Sequence, residues 1–186
     1  MEKDEAAALR LLERHNTVVR EAIRKHGGHE IKTIGDAFLV LFDSAVQAVE
    51  CAVALQRALH AHNRAPEPAG RVLVRAGAHV GDVLVTDGDV LGDSVNLAAR
   101  LESVAEPGGA CVSDQVRQVV SRRLSLPFVP LGPVPLKNFA SSPGALLDPP
   151  GIPRSRGAGH AVGRAGDSRL CGPHSPFRAL PDHDGQ

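Results

Sequence analysis

A chain of 186 residues suits one domain with room for a tail. Hydrophobic residues make up 42% of it and aromatics only 3%, with no Trp or Tyr, so any core must be built from Ala, Val and Leu. Basic and acidic residues balance at 21 each, which excludes a global field drawing the protein to nucleic acid or an anionic membrane and leaves partners to be recognised locally.

The chain opens on alternating charged and apolar residues, which is no signal peptide, and no apolar run approaches the roughly 20 residues of a membrane span. Residues Glu5 to His26 read as an amphipathic helix, with Leu11, Leu12, Val18, Val19 and Ile23 on one side and Gly27 and Gly28 as its stop. His29 to Phe42 then reads as two strands joined at Gly35 and Asp36. The second, Ala37 to Phe42, is wholly apolar and is expected to be buried on both faces. Lys32 lies in the first strand and Asp36 at the tip. Taken alone, they are a solvated strand residue and a turn former.

Ser44 with Gln47 forms a capping box for a helix running to His62, striped by Ala45, Ala48, Val49, Ala52, Leu55 and Leu59. Arg71 to Val80 alternates as a strand with one dry face, Val72, Val74, Ala76, Ala78 and Val80. Leu73, Arg75, Gly77 and His79 take the other face. Gly81 and Asp82 turn the chain into Val83 to Val85, and the turn TDGD leads to GDVLGDSVNLAAR, Gly88 to Arg100. There Asp89 sits in a turn and a helix begins at Asp93, with an apolar stripe of Leu97, Leu101 and Val104. Asn96 and Arg100, four apart, share a separate face. An amide beside a guanidinium can grip a phosphate as its charge changes, though the same pair also suits a solvated helix surface.

Glu106 to Gly109 is a turn, Ala110 to Val112 a short strand, and Ser113 the cap of a helix reaching about Ser121. Leu126 to Phe139 reads as two proline-containing strands at a sheet edge, with Lys137 in the second. Beyond Leu147 the composition turns to Pro, Gly, Arg and His without periodicity, as in a disordered tail. Cys51, Cys111 and Cys171 form neither a zinc pattern nor a disulfide framework and imply the reducing cytoplasm, and the histidines lack metal-ligand spacing. Helices interleaved with a mostly antiparallel sheet predict an α+β sandwich. A strand before the first helix would complete a ferredoxin-like core, and that strand is missing from this sequence.

Lys32 and Asp36 in KTIGDAF, the Gly88 to Arg100 stretch and the terminal LKNF together resemble the class III adenylate/guanylate cyclase catalytic domain, over Glu5 to about Leu147. The resemblance implies the ferredoxin-like sandwich of that family, lacking its first strand. It also implies conversion of ATP to 3′,5′-cyclic AMP and pyrophosphate by attack of the ribose 3′-hydroxyl on the α-phosphorus. Two divalent cations, Mg²⁺ or Mn²⁺, are implied as cofactors. So is a head-to-tail homodimer, or a heterodimer with another cyclase domain, that builds each site from both chains.

On the same grounds Asp36 is a metal ligand, Lys32 and Asp89 read adenine, Asn96 orients the ribose, Arg100 stabilises the α-phosphate, and Lys137 holds the terminal phosphates. The family's other metal aspartate, in an F-x-D-I-x-G-F/Y-T type segment before the first helix, has no counterpart here. The expected organisation is therefore a catalytic domain over residues 1–148, incomplete at its N-terminus, and a tail over residues 149–186. The alternative is a catalytically deficient domain that binds nucleotide or dimerises without turnover.

Overall fold

The computed structural model describes residues 2–65, 70–133 and 143–147. Lys137 and the expected tail lie outside them. The first helix, α1, spans Glu2–Lys25 and ends where its glycines stand, the Gly28 amide donating to the Ile23 carbonyl at 2.9 Å. Strands β1 (His29–Ile34) and β2 (Ala37–Leu41) form an antiparallel ribbon closed between Ile34 and Ala37. Its turn needs the left-handed conformation that Gly35 adopts at φ 63°.

The expectation that the Ala37 to Phe42 strand is enclosed on both faces is not met: β2 is half-buried throughout. A two-stranded ribbon lays one face on the helices. Phe38, Val40 and Phe42 pack there against Val18, Val19 and Ile23 of α1, while Leu39 and Leu41 turn away.

Ser44 caps helix α2 (Ala45–Asn63), its Oγ accepting from the Val46 amide at 3.2 Å. The Gln47 amide lies instead against Gly27 at the end of α1. The single apolar stripe proves to be two faces: Cys51, Leu55 and Leu59 join α1, and Val49 and Val53 join the main sheet.

That sheet has the order β3-β6-β8-β7, with β3 (Ala76–Ala78) parallel to β6 (Ala110–Ser113). Strands β7 (Phe128–Pro133) and β8 (Pro143–Leu147) complete it with antiparallel pairings. Alternation along its strands divides the core. Ala110, Val112, Ala145 and Leu147 face α2 and α4 (Asp114–Val120), and Cys111 and Leu146 face α3 (Asp93–Val104). The expected second terminal strand, with Lys137 in it, lies outside the described residues; β8 lies inside the sheet, while the proline-bearing β7 takes the edge. Between β3 and α3 stands a second ribbon, β4 (Leu84–Thr86) with β5 (Asp89–Leu91). The whole is a mixed α+β fold.

The strand expected over Arg71 to Val80 is regular only at Ala76–Ala78, and the reason is visible in its hydrogen bonds. Asn63 both donates to the Val72 carbonyl at 2.8 Å and accepts from the Val72 amide at 2.9 Å. Gln56, 2% exposed, donates to the Val74 and Gly109 carbonyls at 3.0 Å each. At Val72 a side chain of α2 thus stands where a neighbouring strand would pair, while at Val74 Gln56 adds a bond to the one from the Gly108 amide. The dry face holds from Val72 to Ala78 and fails at Val80, which is 43% exposed.

Replacing Gln56 with leucine keeps the volume but removes both bonds. Each carbonyl retains one backbone donor, Gly108 for Val74 and Ala76 for Gly109. The expected loss is about 2 kcal/mol, read as a lower urea midpoint at unchanged slope.

Candidate active site

The entrance to α3 is built by Gly92, whose φ of 141° no L-residue adopts readily and which caps the helix without a side chain. Leu97, Leu101 and Ala105 seat the helix on Cys111 and Leu146; Val104, expected in that stripe, is 38% exposed, and Ala105, one turn beyond Leu101, is buried in its place. The other side of the helix carries Asn96, exposed, and Arg100, half-buried.

Lys32 on β1 and Asp89 on β5, 57 residues apart in sequence, meet in a bidentate ion pair, with Nζ 2.6 Å from Oδ1 and 2.7 Å from Oδ2. The Asp89 carboxylate is also held from behind: Oδ1 accepts from the Val90 amide at 2.7 Å, and Thr86 Oγ1 donates to the Asp89 carbonyl at 3.3 Å. Donor and acceptor therefore stand side by side at the junction of the two ribbons, four residues before α3 begins.

The Lys32 hydrogen bond, then the Val90 amide, holds the Asp89 carboxyl below the ordinary aspartate range. A depressed carboxyl keeps its ion pair at neutral pH and surrenders it only as pH falls through that lowered value. Lys32→Ala should accordingly move the Asp89 midpoint upward, followed by the carboxyl ¹³C resonance in an acid titration.

Asp36 stands apart, exposed in the β1–β2 turn. Its charge is felt by Glu102 on α3. Burial pushes the Glu102 carboxyl up, Arg75 works against that, and Asp36 adds to it. Glu102 and Arg75 were not singled out in the sequence; a lone Glu on a helix and a lone Arg in a strand carry no signal there. His79, also missed, pairs through Nδ1 with Ser113 Oγ at 3.0 Å, and burial lowers its pKa so that the ring stays neutral. Of the six predicted residues, then, Lys32 and Asp89 are in contact, Asn96 and Arg100 share the next helix, Asp36 lies at a separate turn, and Lys137 is outside the described residues.

The sequence model of the adenylate and guanylate cyclase catalytic domain matches residues 1–146. The chain belongs to that family. Putative adenylate cyclase 3 of Rhizobium meliloti is 42% identical over 140 residues, covering 75% of this chain and 24% of that protein. The uncharacterised protein Rv2212 of Mycobacterium tuberculosis is 35% identical over 148 residues, covering 80% of this chain and 36% of that protein. The chain thus spans less than half the length of these relatives.

Among solved structures, an adenylate/guanylate cyclase/hydrolase from Silicibacter pomeroyi superposes with a TM-score of 0.67 at 39% identity, over 79% of this chain and 85% of that one. The catalytic core of a rhodopsin-guanylyl cyclase with converted specificity, in complex with ATPαS, shares the fold at 24% identity and a TM-score of 0.64, over 73% of this chain and 79% of that one.

For a cyclase domain the metal question rests on donors. Asp36 offers the hard oxygen that Mg²⁺ or Mn²⁺ takes. No three His, Cys, Asp or Glu side chains among the described residues converge to hold an ion. Cys51 and Cys111 are buried and their thiols are pushed up to about 11, which removes them as nucleophiles. A cleft of about 630 Å³ between α1 and β1, lined by Thr17, Arg20, Arg24 and Glu30, contains none of the predicted residues. No helix among the described residues is long and apolar enough to cross a membrane.

Proposed function

We propose that this cyclase domain is an adenylate cyclase that turns cytoplasmic ATP into 3′,5′-cyclic AMP and pyrophosphate. The observation that carries the reading is the Lys32–Asp89 pair, an ammonium and a carboxylate in lateral contact. The edge of adenine is its complement: N1 accepts from Lys32, and the exocyclic amine donates to Asp89. Guanine presents a carbonyl where adenine has that amine, and the carboxylate repels it. Asn96 then orients the ribose and Arg100 meets the charge that builds on the α-phosphate as the 3′-hydroxyl attacks and pyrophosphate departs. Lys137 holds the terminal phosphates, and Asp36 meets a divalent cation, Mg²⁺ or Mn²⁺, of the two the reaction calls for.

A second cyclase domain, in a second copy of this chain or in another cyclase, completes the site. Exposed Ile34 on β1 and Leu84, Val85 and Leu91 on the β4–β5 ribbon fit burial against such a partner. The test is cyclic nucleotide formation from ATP and from GTP with Mn²⁺, on protein whose dimeric state is verified. Cyclic AMP in excess is expected, and a preference for GTP would overturn the reading.

The donor set favours a second reading, a domain that binds nucleotide or pairs with another cyclase without turnover. Asp89 is tied to Lys32 and leaves Asp36 as the one assigned carboxylate open to a cation. It predicts ATP binding with no cyclic AMP.

A further inference from the structure

The stretch from Gly77 to Val83 runs along the underside of α3. A methyl group built on Gly77 falls far inside contact distance of the Ala98 carbonyl oxygen and the Glu102 amide nitrogen, and 2.9 Å from the Glu102 Cα. One built on Gly81 collides with Ser94 Oγ and stands 3.3 Å from Ser94 Cβ and 3.2 Å from His79 Nε2. At the helix entrance, a methyl on Gly92 would lie 3.3 Å from the Asp82 carbonyl. Ser94, Ala98 and Glu102 are four residues apart and form one ridge of the helix. Two glycines four apart in the facing chain receive that ridge, backbone against backbone at Gly77 and backbone against a small side chain at Gly81.

Asn96 and Arg100 lie about 200° round the helix from Ser94 and Ala98, on the side turned away from the glycines. The height of the ridge above the strand therefore sets the height of the amide and the guanidinium.

We propose that Gly77 and Gly81 are positioning residues for the reaction: their missing side chains let α3 sink onto the sheet, and that depth places Asn96 and Arg100 against the ribose and α-phosphate. The inference rests on the adenylate cyclase reading for its consequence in catalysis, and on the packing alone for its consequence in the helix. Gly81 has a backbone that alanine can adopt, since its φ is not among the positive ones, so a substitution there acts through the collision and not through strain. The collision is with a hydroxyl, which a second substitution can remove.

The experiment compares the unaltered chain with Gly81→Ala, Ser94→Ala and the Gly81→Ala/Ser94→Ala double variant. It measures kcat and KM for ATP with Mn²⁺, and amide hydrogen exchange along Asp93 to Val104. For Gly81→Ala, where a turn of the Ser94 hydroxyl relieves part of the collision and the contacts at 3.2–3.3 Å ask for only a few tenths of an ångström, kcat is expected to fall about tenfold with KM within about 3-fold, and the double variant should return to within about 3-fold of Ser94→Ala. A merely structural role would lower the amount of folded protein without changing kcat per folded site, and would not be relieved by trimming a hydroxyl. An unchanged kcat, or a loss the double variant does not recover, overturns the proposal.

If the unaltered chain makes no cyclic AMP, the adenylate cyclase reading fails there, and hydrogen exchange decides the packing inference separately. Gly81→Ala should speed exchange of the Val95 to Leu97 amides about tenfold or more, with the double variant restoring protection. Unaltered exchange would sink it.

Discussion

Replacing Gly77 with alanine should lower the melting temperature of the domain by about 10 °C. The new methyl meets the Ala98 carbonyl and the Glu102 amide, which are backbone atoms of a helix and cannot rotate aside. Either α3 lifts from the sheet, opening the contacts of Leu97 and Leu101 with Cys111 and Leu146, or β3 is pushed from β6.

Overpacking against side chains typically costs about 1–3 kcal/mol, and a rigid neighbour belongs at the upper end or beyond it. For a chain of this length each kcal/mol shifts the melting temperature by about 2–4 °C. Gly109→Ala is the internal comparison: its methyl would lie 3.1 Å from the Glu106 carbonyl, a turn that can yield by a few tenths of an ångström. A much smaller shift is expected there. Equal shifts for the two, read by circular dichroism, would show that α3 is not seated through Gly77.

The difference between those glycines bears on what the sequence could disclose. Gly77 was placed correctly on the face opposite Val72 and Val74, because strand alternation is a local rule. What that face meets is a tertiary fact: Ser94, Ala98 and Glu102 become a ridge only once α3 is laid across it. The spacing of small residues in the two segments was the available signal.

Helix ends and turns were legible for the same local reason, as Gly27–Gly28, Ser44, Gly35 and Ser113 each perform there the chemistry that their type suggests. The errors arose where side chains took over backbone pairing. Asn63 takes both backbone groups of Val72 and Gln56 shares the Val74 carbonyl, at the end where β3 loses its regular pairing, and no periodicity announces that. The apolar run of β2 misled because a run of this kind reads alike in an enclosed strand and in a ribbon lying on helices.

At the site, the pairing of Lys32 with Asp89 across 57 residues could not follow from composition or spacing. It was reachable only because several separated motifs occurred together. Glu102 was out of reach, since its interest depends on the approach of Asp36 and Arg75 from other parts of the fold.

Arg100→Ala should reduce kcat for cyclic AMP by about 10²–10³-fold while leaving KM for ATP within a few-fold, the pattern of a group whose interaction strengthens only as charge develops. On the adenylate cyclase reading, Lys32 and Asp89 would recognise adenine at the ribbon junction, so ground-state recognition would have its own residues, and a cation placed further along α3 would not be needed for it. Lys32→Ala, by contrast, should act on discrimination between ATP and GTP, since it removes the donor for N1 and frees the Asp89 carboxylate it holds.

Arg100→Lys keeps the charge but loses the planar fork that can bridge two phosphate oxygens, and should recover only part of the rate. The two substitutions thus separate along different axes, one in turnover and one in the ratio of substrates, and steady-state kinetics on both nucleotides reads them together. If Arg100→Ala raised KM with kcat unchanged, the guanidinium would be a ground-state contact, and the outward face of α3 would serve binding rather than catalysis.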